Sequence, residues 1–177
     1  MKKLIFIIAL LLGSLTFFSC EDEWGNGAPE MEHVYYTGFQ EWGKFNNKFE
    51  YNVEQGETIE IPIEFHSERT RKYNVTTYFY VGDELVKGTD FEIVDEKDSV
   101  INPDENGAYA ITWKKAEKGI HNVKVKALKG AKGAFTLHTF DPKAGKIKHP
   151  DNITNSQTND YEVRAFSQNY KVTIKIK

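Results

Sequence analysis

The most constraining feature of this sequence is a run in which Ile59, Ile61, Ile63 and Phe65 alternate with Glu60, Pro62 and Glu64. A period of two places every apolar side chain on one face of an extended strand and every polar one on the other, so the run predicts a strand buried on one side. Pro62 cannot donate a ladder hydrogen bond, which predicts an edge strand or a neighbouring bulge. Residues 170–177 close the sequence with the same alternation. Further strands are predicted at 34–39, 48–53, 73–81, 90–94, 108–114, 121–128, 134–140 and 160–165. Turn signals separate them, among them Gln55-Gly56, Lys87-Gly88 and the stretch from Pro103 to Gly107. No window of helical length carries a 3.6-residue period. The expected fold is an all-β, antiparallel, immunoglobulin-like β-sandwich.

Composition supports a packed fold and narrows the partners. Hydrophobic residues make up 40% and aromatics 14% of the 177 residues, enough to fill a core of pleated sheet. The formal charge is −3, and it falls to −5 if Lys2 and Lys3 leave with a leader, which argues against a nucleic-acid partner. Lys114, Lys115, Lys118, Lys124, Lys126, Lys129 and Lys132 crowd one region. Because Lys124 and Lys126 alternate with Val123 and Val125, a solvated sheet face accounts for them.

The first twenty residues read as an export signal. Lys2 and Lys3 precede an apolar stretch over 4–12, Gly13-Ser14 breaks it, and the segment ends at Cys20, the only cysteine. The run Leu15-Thr16-Phe17-Phe18-Ser19-Cys20 resembles the lipobox of bacterial lipoproteins in its loose Bacteroidetes form. The resemblance implies that residues 1–19 are removed and that Cys20 is acylated and held in the membrane, since a sole cysteine has no partner within its own chain. Glu21-Asp22-Glu23 then resembles the signal that sends such lipoproteins to the outer face of the outer membrane. Residues 20–32 are expected to form an acidic tether, and 33–177 a single sandwich domain.

Within that domain, Phe49-Glu50-Tyr51-Asn52-Val53-Glu54-Gln55-Gly56, the alternating strand after it, and Lys87-Gly88-Thr89-Asp90-Phe91-Glu92-Ile93 together resemble the Calx-β type of immunoglobulin-like domain. The same order is similar to modules that open many Bacteroidetes surface lipoproteins, some encoded with polysaccharide-utilisation systems. The resemblance spans about 34–128. Some Calx-β domains bind calcium through loop acids, and Asp95, Glu96, Asp98, Asp104 and Glu105 stand in comparable loops. No complete calcium loop is present, so these acids are read as solvated and no metal is assigned.

Catalytic signatures are not found. His33, His66, His121, His138 and His149 lack metal-ligand spacing, and no nucleophile elbow, phosphate loop or dinucleotide fingerprint occurs, so neither cofactor nor enzyme activity is expected. Aromatic crowding is the feature left over: Tyr35, Tyr36, Phe39, Trp42, Phe45, Phe49 and Tyr51 cluster at the start of the domain. Exposed Trp42 with Tyr36 would form a platform for sugar rings; buried, the same rings fill the core. Two functions follow from this reading. One is a surface lipoprotein acting as a non-catalytic binding module for polysaccharide. The other is an accessory protein that docks an edge strand or long loop onto an outer-membrane protein partner.

Overall fold

The computed structural model describes residues 32–39, 48–143 and 153–177. The leader, Cys20, the tether up to 31 and Trp42 lie outside the described residues. Among the described residues, eleven strands form two sheets and one 3-10 turn spans Lys114–Ala116. They are β1 (Val34–Gly38), β2 (Glu50–Val53), β3 (Thr58–His66), β4 (Val75–Val81), β5 (Phe91–Val94), β6 (Ala108–Trp113), β7 (Gly119–Ala127), β8 (Gly133–His138), β9 (Thr154–Gln157), β10 (Glu162–Ala165) and β11 (Lys171–Ile176). One sheet runs β5, β7, β3, β1, β10, β9; the other runs β2, β11, β8, β4, β6.

The all-β sandwich is therefore as expected, with three differences of detail. The sheets are mixed, because β1 pairs parallel to β10 and β2 parallel to β11. Strand β9 lies in a stretch expected to be loop, since Thr154-Asn155-Ser156-Gln157 carries no apolar alternation to announce it. The strand β3 is central and not at an edge, lying between β7 and β1. It tolerates Pro62 because the described part of β1 pairs only as far as Gly38, opposite Glu64, so Pro62 lies beyond the last pair on that side.

Alternation then builds the core. Ile61, Ile63 and Phe65 of β3 are at most 1% exposed, and they meet the inward residues of the other sheet. Phe65 stacks on Trp113 at 5.1 Å, and Phe91 on Phe135 at 4.0 Å. The Trp113 indole N–H, buried with its ring, donates to Thr77 Oγ1 at 2.9 Å, so the large ring is buried without stranding its donor.

Where β4 and β8 diverge, side chains of β9 replace a backbone ladder. Strands β4 and β8 pair only at Tyr80–His138 and Val81–Leu137. Further along β4 the Asn155 carboxamide acts as a surrogate peptide: its Oδ1 accepts from the Tyr78 N–H at 2.9 Å, and its Nδ2 donates to the Tyr78 carbonyl at 2.6 Å. The same Nδ2 donates to the Thr139 carbonyl at 2.6 Å. Ser156 Oγ donates to the Thr76 carbonyl at 2.6 Å, and Tyr161 Oη accepts from the Thr76 N–H at 3.0 Å. The split in the five-stranded sheet is thus sealed by the edge of the other sheet, leaving no backbone group of Thr76 or Tyr78 stranded.

Candidate interaction surfaces

Of the residues that the sequence singles out, Tyr36 can be placed. It lies on the outer face of the six-stranded sheet, in a cross-strand row with His66 on β3, Arg164 on β10 and Thr154 on β9. Adjacent strand residues point to opposite faces, so Tyr35 is buried where Tyr36 is half-buried. One face of the Tyr36 ring is taken by Phe166, stacked at 5.3 Å and 19°. Phe166 reaches it across Gly38, where a Cβ would lie 3.1 Å from the Phe166 ring and 2.8 Å from Asn169 Oδ1. Arg164 binds Glu162 through two hydrogen bonds, of 2.8 and 3.2 Å, and that carboxylate raises the guanidinium pKa further.

A chain of polar side chains crosses the outside of the other sheet. The Thr136 hydroxyl donates to Glu84 Oε1 at 2.9 Å and lies 2.9 Å from His138 Nε2. With its own proton committed to Glu84, the hydroxyl accepts from His138, which fixes the proton on Nε2. Burial, aided by Lys171, holds His138 below the ordinary histidine value despite Glu84. For Glu84, burial alone would raise the pKa; hydrogen bonds from its own backbone N–H and from Thr136, with His138 nearby, outweigh it and leave the carboxyl lowered. This order is wrong for activating a hydroxyl nucleophile. A base must accept from the hydroxyl, whereas His138 donates to it.

The loop acids serve the backbone. Asp95 Oδ1 accepts from the Lys97 and Ser99 N–H groups, Asp104 Oδ1 from those of Asn106 and Ala108, and Asp90 Oδ2 from that of Val86. Gly88, at φ +81°, takes the left-handed conformation that this last turn requires. No group of three or more His, Cys, Asp and Glu able to hold a metal ion occurs among the described residues.

The two poles of the sandwich differ, and strand direction decides which loops share each. Whatever precedes the domain attaches where β1 begins. Strand β3 is antiparallel to β1 and ends at this pole, and β7, antiparallel to β3, starts there. Residues 67–74 and 114–118 therefore meet: the Arg71 N–H donates to the Lys115 carbonyl at 2.6 Å, and the Lys115 N–H to Asn74 Oδ1 at 3.0 Å. These loops carry Arg69, Arg71, Lys72, Lys114, Lys115 and Lys118 against Glu68 and Glu117. Lys115 and Ala116 both hold left-handed backbone, at φ 54° and 50°, a conformation costing about 1–2 kcal/mol per residue with a side chain.

The β4–β5 loop lies at the opposite pole, and beside it the β5–β6 segment turns back along the β5 edge, with Val100 bridging to Val94; there the polar-outward pattern fails. Val86, Val100 and Ile101 are 62%, 46% and 39% exposed. Their backbones are fixed: Val86 O accepts from the Thr89 and Asp90 N–H groups, and Ile101 N–H donates to Ile93 O at 2.8 Å. Lys87 Nζ donates to Asn102 Oδ1 at 2.7 Å, joining the two loops one residue from Val86 and from Ile101. No spacing rule announces either pole, because each is assembled from separate loops; of the seven lysines expected on a sheet face, Lys124 and Lys126 lie on β7, whereas Lys114, Lys115, Lys118, Lys129 and Lys132 lie outside the strands. Lys124 pairs there with Glu96 at 2.8 Å and Glu60 at 3.7 Å.

No protein-family model, the Calx-β type included, and no curated protein matches the sequence. Among solved structures, CaCohA2 from Clostridium acetobutylicum overlaps with a TM-score of 0.47 at 12% identity, over 82% of this chain and 92% of that one. The third ScaB cohesin of R. flavefaciens, solved in complex with a group 1 dockerin, gives 0.33 at 13% over 82% and 95%. AvmM, which catalyses macrocyclisation in alchivemycin A biosynthesis, gives 0.33 at 12% over 82% and 88%. A docking protein and an enzyme stand side by side at such scores, so function has to be read from the surface of this chain.

Proposed function

We propose that this chain is a non-catalytic docking module, anchored to the outer membrane through acylated Cys20 and facing the cell exterior, that binds a protein partner through its distal loops. The observation that carries the docking reading is the rigid group of exposed Val86, Val100 and Ile101 on two loops tied together by Lys87 and Asn102. Apolar side chains gathered on a fixed surface mark an interaction site, and preorganised loops lose little entropy on binding. The lipobox-like segment and Glu21-Asp22-Glu23 support the anchor and the outward orientation. The test is co-purification of the lipidated protein, after crosslinking in cells, with and without Val86→Glu and Ile101→Glu together. A stoichiometric outer-membrane protein recovered with the parent chain and lost with the double variant, at unchanged thermal stability, supports the reading; equal recovery refutes it.

A second reading is supported by Tyr36 and Phe166, a ring pair on an outer sheet face beside Arg164. Their exposed faces would stack against the C–H faces of sugar rings. Affinity electrophoresis on a polysaccharide panel tests it, with Tyr36→Ala and Trp42→Ala expected to abolish any retardation.

A further inference from the structure

The pole at which β1 begins is also the pole at which positive charge collects. Loops 67–74 and 114–118 carry six basic and two acidic residues and the adjoining loop before β10 adds Asp160, whereas residues 33–177 as a whole are net neutral, the negative charge of the chain without its leader residing in residues 21–32. Arg69, Lys72, Lys114, Lys115 and Lys118 are exposed, and Arg71, half-buried, donates through Nε to Tyr35 Oη at 3.3 Å. The two loops are bonded to each other, and Lys115 and Ala116 are locked in left-handed backbone, so the charges are presented from a fixed surface. We infer that this pole is a membrane-facing surface which rests on the anionic phosphate headgroups of the bilayer that holds the anchor. The inference rests on the proposed acylation of Cys20.

Three considerations favour headgroups over another anionic partner. Cys20 is only fourteen residues before Val34, so even fully extended chain keeps this pole within ~50 Å of the bilayer, the surface nearest to it. Tethering at that range supplies an effective concentration of order mM, so weak attraction suffices. Each basic residue close to an anionic leaflet strengthens partitioning by roughly fivefold, and the net-negative remainder of the domain is repelled by the same leaflet. Together these turn the domain basic pole down and the Val86, Val100 and Ile101 loops outward.

The experiment uses the lipidated protein purified from membranes and reconstituted into vesicles. Cys20 is the only cysteine, and acylation blocks its thiol, so Glu117→Cys at the basic pole and Lys129→Cys at the opposite pole each give a single dye site. With ~30% anionic phospholipid bearing a headgroup quencher, the dye at 117 is expected to be quenched several-fold more than the dye at 129. The difference should vanish in zwitterionic vesicles, at ~0.5 M salt, and in a variant combining Arg69→Glu, Lys72→Glu, Lys114→Glu and Lys118→Glu. Equal quenching at the two sites, or quenching indifferent to lipid charge, overturns the inference. It is likewise overturned if the fourfold variant loses retention on polyglutamate while its vesicle quenching is unchanged, which would assign the pole to an acidic protein. Intact mass reads the anchor separately: if Cys20 carries no acyl chains, that reading fails, and co-sedimentation of the same chain with anionic and zwitterionic vesicles still decides the pole, at a loss of roughly several hundredfold or more for the fourfold variant.

Discussion

Replacing Asn155 by alanine tests the closure of the sandwich most directly. The side chain is 7% exposed and bonds three backbone groups: the N–H and carbonyl of Tyr78 and the carbonyl of Thr139. Alanine strands all three, and a buried group left unsatisfied costs about 1–3 kcal/mol. Water entering the vacated volume would recover part of this, so the expected loss is about 3–4 kcal/mol, a large effect for one substitution. In urea unfolding the midpoint should drop while the slope stays unchanged, because the surface exposed on unfolding is nearly the same. Asn155→Asp is the informative control. It keeps an acceptor for the Tyr78 N–H but turns an oxygen toward two carbonyls that had faced an amide donor, so it should be no more stable than alanine at neutral pH. A loss below about 1 kcal/mol for Asn155→Ala would refute the view that this carboxamide stands in for a missing ladder.

Two further outcomes follow from the polar chain and the strained turn. Both His138 and Glu84 titrate below their ordinary values in the fold. For His138, the unfolded chain takes up its proton first as pH falls through 6.5, so this contribution is complete above 6.5 and is lost below it, toward the folded value. Glu84 adds a second loss at lower pH, as its folded carboxylate is protonated. Urea midpoints should therefore fall as pH drops below about 6.5, and His138→Gln should reduce that dependence, leaving the part due to His121, which burial also lowers. Lys115→Gly relieves a left-handed residue and should raise stability by up to about 1 kcal/mol, read as an increase in Tm; a decrease would mean that the Lys115 side chain outweighs the strain.

The fold was legible wherever one face of a strand is buried, because burial writes period-two alternation into the sequence. Strands β3, β7 and β11 show it plainly, with Ile61, Val125 and Ile174 inward between polar neighbours. Strand β9 escaped because its contribution is polar: Asn155 is buried for its amide, and hydropathy cannot distinguish such a residue from a loop asparagine. The position of β3 was misread from Pro62 because the rule concerns a single N–H. A strand can be central and still have one stretch that its neighbour does not reach. The Lys87-Gly88 turn into a strand at 90–94 is legible because that chemistry is local, and the structure adds that Asp90 accepts from the Val86 N–H within the turn. The poles were not legible for the opposite reason. Arg69 and Lys114 are far apart in sequence, and only the direction of β3 and β7 brings their loops together.

The parts that hold the sandwich together and the parts proposed to act are distinct residues, which makes the functional tests interpretable. Asn155, Phe65, Phe91 and Phe135 lie inside, and changing them lowers stability whatever the protein binds. Val86, Ile101, Arg69, Lys72, Lys114 and Lys118 are exposed, where substitution ordinarily shifts stability by no more than about 0.5 kcal/mol. Tyr36 lies between these cases: Phe166 covers one of its faces, so the variant Tyr36→Ala must be checked for folding before lost affinity means lost contact. The same separation gives the two poles independent readouts. Reversing the basic loops should change orientation on the membrane without affecting partner capture in detergent, where there is no bilayer to orient against. Making Val86 and Ile101 acidic should abolish capture and leave the quenching difference intact. If either change disturbed both readouts, the two poles would have to be treated as one surface, and docking and membrane contact could not be separate functions of this domain.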